Sequence, residues 1–294
     1  MNTVDTVATL LHASPLPALE ARILLGHALE WRRTELIARA DDALDATKVA
    51  AFRDLEARRV AGEPIAQLIG SREFFGLDFH VTRDVLIPRP ETELLVETAV
   101  QALEGRAARS RVLDLGTGTG AIAVSIAWSR PDARVWAVDR SVEALEVARR
   151  NAIKLLEPKR PGGDLQFAQS DWYAALDASL TFDVIVSNPP YIASGDPHLS
   201  QGDLRFEPRG ALTDEADGLS RIRAIVAGAP SRHRAERRAE DGARLRSGRS
   251  RSRDPYGARF CRRAFGMRSG PHRTHQRRSL AGLIRGGAAR CDGA

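Results

Sequence analysis

Residues 111–129 read RVLDLGTGTGAIAVSIAWS, and this stretch decides the fold class. RVLDL is a short apolar run of strand length, GTGTG places glycines at alternate positions, and AIAVSIAWS is apolar enough for a buried helix. Strand, glycine turn and helix form the opening unit of an α/β domain, in which ligands sit beyond the carboxyl ends of parallel strands. The alternation continues downstream. RVWAVD (134–139) predicts a second strand, and SVEALEVARRNAIKLL (141–156) a helix capped by Ser141, with Glu143 and Glu146 near its positive end. QFAQSD (166–171) and FDVIVSNPPY (182–191) supply two more strands, so residues 84–230 read as a doubly wound parallel sheet.

Upstream the pattern is helical. LEARILLGHALEW (19–31) spaces Leu19, Ile23, Leu24 and Leu29 on one face, and ATKVAAFRDLEARRVA (46–61) does the same with Val49, Phe52, Leu55 and Val60. Residues 1–63 therefore read as a small helical bundle, ended by Gly62 and Pro64. Strand-like stretches at 65–68 and 74–81, with Gly70 and Gly76 as turn candidates, predict a β-hairpin linker over 64–83.

A chain of 294 residues with 43% hydrophobic side chains has room for one large and one small globular unit. It has no apolar run of 18 residues, and Asp5 stands where a secretory signal would be basic, so a cytoplasmic protein without a membrane span is expected. Cys261 and Cys291 have no metal-site spacing and suggest neither a zinc site nor a disulfide framework. The net charge of +6 is unevenly distributed. Residues 231–294 hold 18 Arg and no Lys against five acidic side chains, whereas residues 1–230 carry a net −7.

The chemistry is concentrated at strand ends. In DLGTGTG (114–120), Gly116, Gly118 and Gly120 let a ligand approach the backbone, with Thr117 and Thr119 between them. Phosphate binders use such turns too, but Asp114 beside this one suits a cationic amino-acid ligand. Asp139, about twenty residues on, ends the second strand where a carboxylate can accept from both hydroxyls of a ribose, a signal shared with NAD enzymes. Asp171 and Trp172 can frame an adenine, or Trp172 can simply pack under a loop. Asn188 to Tyr191, NPPY, follow the fourth strand. Pro189 and Pro190 remove two amide donors and leave carbonyl oxygens free. The Asn188 side-chain oxygen and the Pro189 carbonyl can then accept from both N–H groups of a planar amide or amino group, while Tyr191 stacks on it. A nitrogen so held, aligned with a sulfonium methyl donor, needs neither a metal nor a covalent nucleophile.

With these residues in view, residues 1 to about 230 resemble the peptide chain release factor glutamine methyltransferases. The resemblance rests on DLGTGTGAIA (114–123), SNPPYI (187–192), REFFGLDFHVTRDVLIPRPETELLVE (72–97), QSDW (169–172) and QGDLRFEPRGAL (201–212). It implies a helical domain that helps dock the release factor and a Rossmann-like catalytic domain using S-adenosyl-L-methionine. The implied reaction is methylation of the glutamine amide in the substrate's Gly-Gly-Gln loop. Gly116 to Gly120, Asp139 and Trp172 are then expected at the cofactor, and Asn188 to Tyr191 at the glutamine. Pro88, Arg89, Pro90 and Glu91 are expected at the rim, unless Arg89 and Glu91 form an interdomain ion pair. Gln67 departs from the pattern, which often has an aromatic residue there. Two other readings compete: a DNA or RNA amino-methyltransferase, and a basic nucleic-acid-binding protein with a non-catalytic methyltransferase-like region. The acidic balance of residues 1–230 opposes the first.

Beyond Pro230 the quoted motifs cease. Residues 231–294 contain no Val and only six Leu, Ile or Phe, a composition expected to be disordered and to leave strand 183–187 an exposed edge with uncovered faces. Such an arginine-rich stretch is either an arm attracted non-specifically to RNA or the product of a slipped reading frame in a GC-rich gene, as the 23 Arg and three Lys of residues 1–230 suggest. The second reading predicts a poorly folded or weakly active chain.

Overall fold

The computed structural model describes residues 4–106, 109–156, 164–233 and 282–285. The chain opens with α1 (Val7–Ala13), α2 (Ala18–Leu29), α3 (Arg33–Ala38), α4 (Ala46–Val60) and α5 (Ile65–Ile69). Side chains start the first and fourth of these: Thr6 and Thr9 form a capping box, and Asp45 accepts from the Thr47 and Lys48 amides. Their core is Leu10, Leu24, Leu25, Phe52 and neighbours, each large side chain contributing about 1.5–3 kcal/mol on burial. The buried face of α2 is Ala21, Leu24, Leu25, Ala28 and Leu29; of the four expected residues Leu24 and Leu29 are buried, whereas Ile23 and Leu19 are exposed, Leu19 by 68%. The alanines remove bulk where α2 meets its neighbours, so the interface turns toward them. Val60, the last residue of α4, is likewise exposed rather than part of the buried face.

The expected strand at 65–68 is the helix α5, closed by Gly70 in the left-handed region. A short apolar run does not discriminate strand from helix, and Pro64 before it and Gly70 after it decide for the helix. The hairpin itself is β1 (Ser71–Phe74) and β2 (Leu77–His80), paired Ser71↔His80 through Phe74↔Leu77. Phe75 and Gly76, both at positive φ, make its two-residue turn.

Then follow α6 (Glu93–Ala102), β3 (Arg111–Leu115), α7 (Ala121–Ser129), β4 (Arg134–Asp139), α8 (Val142–Leu155), β5 (Asp164–Gln169), β6 (Val184–Ser187), α9 (Arg209–Leu212) and α10 (Ser220–Arg232). The sheet order is β5-β4-β3-β6-β7, with β3 to β6 parallel. The chain winds outward from β3 through β4 to β5 and returns to β6 on the other side of β3. The topological switch therefore lies between β3 and β6, where a crevice opens beyond their carboxyl ends. Val112, Val135, Val184 and Val186 pack on α6, α7 and the hairpin, while Leu113, Leu115, Trp136 and Ile185 pack on the opposite side with Phe182 and Ile225 of α10.

This arrangement corrects the expectation for β6. Its four residues are all buried, because α6 and α10 supply covers on both faces. Its edge is paired antiparallel with β7 (Gly282–Arg285), Val184↔Arg285 through Ser187↔Gly282, so the arginine-rich stretch does contribute a strand. The rest of the expectation for residues 234–294 lies outside the described residues. Among the described residues no helix is long and apolar enough to cross a membrane.

Candidate active site

Hydrogen bonds hold the glycine turn from two sides. The Gly116 and Thr117 amides donate to the Val138 carbonyl (2.9 and 3.0 Å), and the Gly118 amide donates to Asp139 Oδ2 (2.9 Å). Asp139 Oδ1 accepts from the Ser141 amide at 3.0 Å, so one carboxylate ties the turn to the start of α8. Gly120 has φ +79°, and a Cβ there would stand 3.1 Å from the Ala148 Cβ; α8 thus rests directly on the turn.

Asn151, on the same helix, was not singled out by sequence. It is fully buried, donates from Nδ2 to the carbonyls of Thr119 (2.9 Å) and His80 (3.0 Å), and accepts at Oδ1 from the His80 amide (2.7 Å). The only local signal was an amide, a middling helix former, in an otherwise amphipathic helix.

Asp114 is placed differently from the expectation. It is fully buried beneath the turn and absent from the cavity wall, with Oδ2 accepting from Thr117 Oγ1 at 2.7 Å. It lies inside β3 on the same face as Val112, so its side chain enters the layer between sheet and helices instead of projecting past the strand end. Burial pushes its carboxyl up to about 7.

A cavity of about 310 Å³ opens at the switch point. It brings together Gly116 to Thr119, Asp139, Asp171, Trp172, Asn188, Pro189, Pro190, Pro88 and Arg89. Gly120, Pro90, Glu91 and Tyr191 are outside its wall. Gly120 serves the packing of α8, Glu91 is exposed on a 3-10 turn, and the Tyr191 carbonyl lies against the loop at 214–218. A Cβ on Gly218 (φ +81°) would lie 2.6 Å from the Tyr191 carbonyl oxygen, and the next amide, that of Ile192, donates to Leu212 (3.0 Å). Asp214 shapes this bracing loop by accepting from the Ala216, Gly218 and Ser220 amides, each at 2.9 Å.

Three features of the wall bear on chemistry. The Asn188 Oδ1 atom is buried with no hydrogen-bond partner among the described residues, and Ser187 anchors the strand before it by donating to the Leu115 carbonyl at 2.7 Å. Trp172, at φ +52°, sets its ring 3.5 Å from the point where a Gly116 Cβ would be, and its Nε1 is also buried without a partner among the described residues. Arg89 pairs with Glu207, not Glu91. Glu207 is buried and accepts at its other oxygen from the Ile87 amide (2.9 Å); burial raises its pKa despite Arg89.

Two family profiles match the chain. Residues 4–70 match the profile of the PrmC N-terminal domain, and residues 90–202 that of the methyltransferase small domain. Fold, crevice and these matches define an S-adenosyl-L-methionine-dependent methyltransferase with a helical N-terminal domain. The release factor glutamine methyltransferase of Burkholderia pseudomallei is 71% identical over 233 residues, 78% of this chain and 81% of that protein. That of Bordetella pertussis is 50% identical over 270 residues, 92% of this chain and 93% of that protein, an alignment that necessarily takes in part of the stretch beyond residue 230. That of Neisseria gonorrhoeae is 50% identical over 221 residues, 74% of this chain and 77% of that protein. The chain belongs to the release factor glutamine methyltransferases.

Proposed function

We propose that this chain transfers a methyl group to the side-chain amide nitrogen of the glutamine in the Gly-Gly-Gln loop of peptide chain release factors. The observation that carries the reading is the buried, unpartnered Asn188 Oδ1 at the end of β6, across the crevice from the glycine turn. An acceptor left unsatisfied inside a protein is costly unless a ligand supplies the donor. A carboxamide NH2 supplies two, one for Asn188 Oδ1 and one for the Pro189 carbonyl.

S-adenosyl-L-methionine supplies a methyl carbon on a positively charged sulfur. When bound it would offer that carbon to the amide nitrogen, with the sulfur as leaving group. Both acceptors hold the nitrogen in line and raise its electron density as its N–H bonds polarise; the displaced proton passes to solvent. Fixing the reactants in this geometry is worth roughly 7–11 kcal/mol of the barrier. Asp139, with lone pairs beyond its two backbone contacts, would take the ribose, Trp172 and Asp171 would take the adenine, and Pro190 and Arg89 would meet the protein substrate. With a translation factor as its substrate, the enzyme would act in the cytoplasm.

Transfer of labelled methyl groups to a release factor, with DNA and RNA as controls, tests the assignment. Asn188→Ala should lower kcat on the release factor by about a hundredfold, the effect of removing one preorganised transition-state hydrogen bond. Equal activity of that variant, or equal labelling of nucleic acid, overturns the reading.

A further inference from the structure

The segment between the Asn188 strand end and α9 crosses to the helical domain and returns to the crevice. Its last part is a 3-10 turn, Gly202–Phe206, that runs into Glu207, Pro208 and α9, where Pro208, Gly210 and Ala211 join the cavity wall. Along its outward course it touches the corner between α4 and α5 three times. Arg59 donates to Asp203 Oδ1 at 3.2 Å while also bonding Glu20 Oε2 of α2 at 2.7 Å. The Arg205 guanidinium donates to the Ala61 carbonyl, over Gly62, where a Cβ would collide with it. Gln67 Nε2 donates to the Phe206 carbonyl at 3.1 Å, while its Oε1 is buried without a partner among the described residues. On its return the same segment presents Glu207, whose two oxygens take the Ile87 amide and the Arg89 guanidinium.

The chemistry of these contacts is directional. Packing of Ala66 against Val81, Val85 and Ile87 also joins α5 to the catalytic unit, but apolar contact tolerates sliding. Hydrogen bonds to a backbone carbonyl and a backbone amide do not. A fully buried carboxylate is costly to keep, and Glu207 is compensated only while Arg89 and the Ile87 amide remain in place.

We infer that residues 202–207 are a registration strap, with Gln67, Asp203 and Glu207 as positioning residues that fix the α4–α5 corner relative to the crevice wall at 87–89. Resting on the function proposed above, the strap sets where a protein docked on the helical domain presents its amide to Asn188. Gln67 accounts for its own departure from an aromatic residue, since it supplies the donor that reaches the strap.

The test uses the full chain and two variants at the helical end, Gln67→Ala and Asp203→Ala, neither of which is in the cavity wall. Hydrogen exchange at the Ile87 amide needs no substrate. It should accelerate by about fivefold in both variants, the worth of one neutral hydrogen bond in Gln67→Ala and of one partly exposed ion pair in Asp203→Ala, while amides of β3 keep the wild-type rate. With a release factor, kcat/KM should fall by about fivefold while affinity for S-adenosylhomocysteine is unchanged. Unaltered Ile87 exchange in both variants overturns the strap, as does a loss of kcat/KM matched by an equal loss of cofactor-product affinity. Failure of the wild-type chain to methylate a release factor sinks the substrate assignment instead, and the exchange measurement still decides the strap.

Discussion

Asp114 is an ionisable group with nowhere to put its charge: it is fully buried, and its pKa is pushed up to about 7 by burial. The unfolded carboxyl titrates near 3.9, so between about pH 4 and pH 7 the folded chain holds a proton that the unfolded chain has lost. Stability contributed by this site therefore declines as pH rises through that window and is flat above it. Asp114→Asn abolishes the decline. The difference in Tm, wild type minus variant, should fall between pH 5 and pH 8; thermal melts showing a constant difference refute the assignment of this titration to Asp114. Asn151 gives a second prediction. Its removal strands the His80 amide and the His80 and Thr119 carbonyls, so Asn151→Ala should cost about 3 kcal/mol in a urea titration. That Gly116 to Thr119, Asp139, Asp171, Trp172 and Asn188 share one cavity wall was legible in the sequence because each sits at a strand end, a position set by local pattern. Asn151, Glu207 and the burial of Asp114 were hidden because their roles depend on partners from 3 to 120 positions away.

Strands and helices of the sheet were legible as soon as glycine turns and apolar runs alternated, and α7 spans the expected nine residues, Ala121–Ser129. Where the pattern misled, as at α5 and on α2, the deciding factor was a flanking proline and glycine or a pair of small residues at a helix contact. The loop at 214–218 illustrates how one element acts on another. Gly218 lets this loop lie against the Tyr191 carbonyl, and a methyl group there has to displace the chain just after Asn188. Gly218→Ala should lower kcat by about tenfold, a shift of about 1.4 kcal/mol in the barrier, with S-adenosylhomocysteine affinity unchanged by calorimetry. A variant with full kcat shows that the loop does not brace the strand end.

Viewed entire, the chain is an acidic body of 230 residues followed by a strongly basic stretch, and the two have different claims to being native. The arginine-rich composition speaks for a slipped frame; the paired strand β7 and the 270-residue alignment with a relative speak against it. Translating the other two frames of the coding DNA after the Pro230 codon should reveal an apolar strand if the frame has slipped, and its absence removes that explanation. A chain cut after residue 233 loses β7 and leaves the outer backbone groups of β6 unpaired, so its melting temperature should drop and its tendency to associate should rise in light scattering.

The hairpin has a further consequence for anyone recombining such enzymes. Asn151 grips the His80 backbone, Lys154 bonds the carbonyl and the carboxylate of Asp78 at 2.7 Å each, and Phe74 and Phe79 sit in the sheet's own core. The ribbon is therefore mechanically part of the catalytic body, although it follows the helical domain in the chain. A chimaera that imports a foreign docking module should be spliced at Gly70, ahead of the ribbon; a junction placed after Val81 would replace Phe74, which lines the cavity at the switch point.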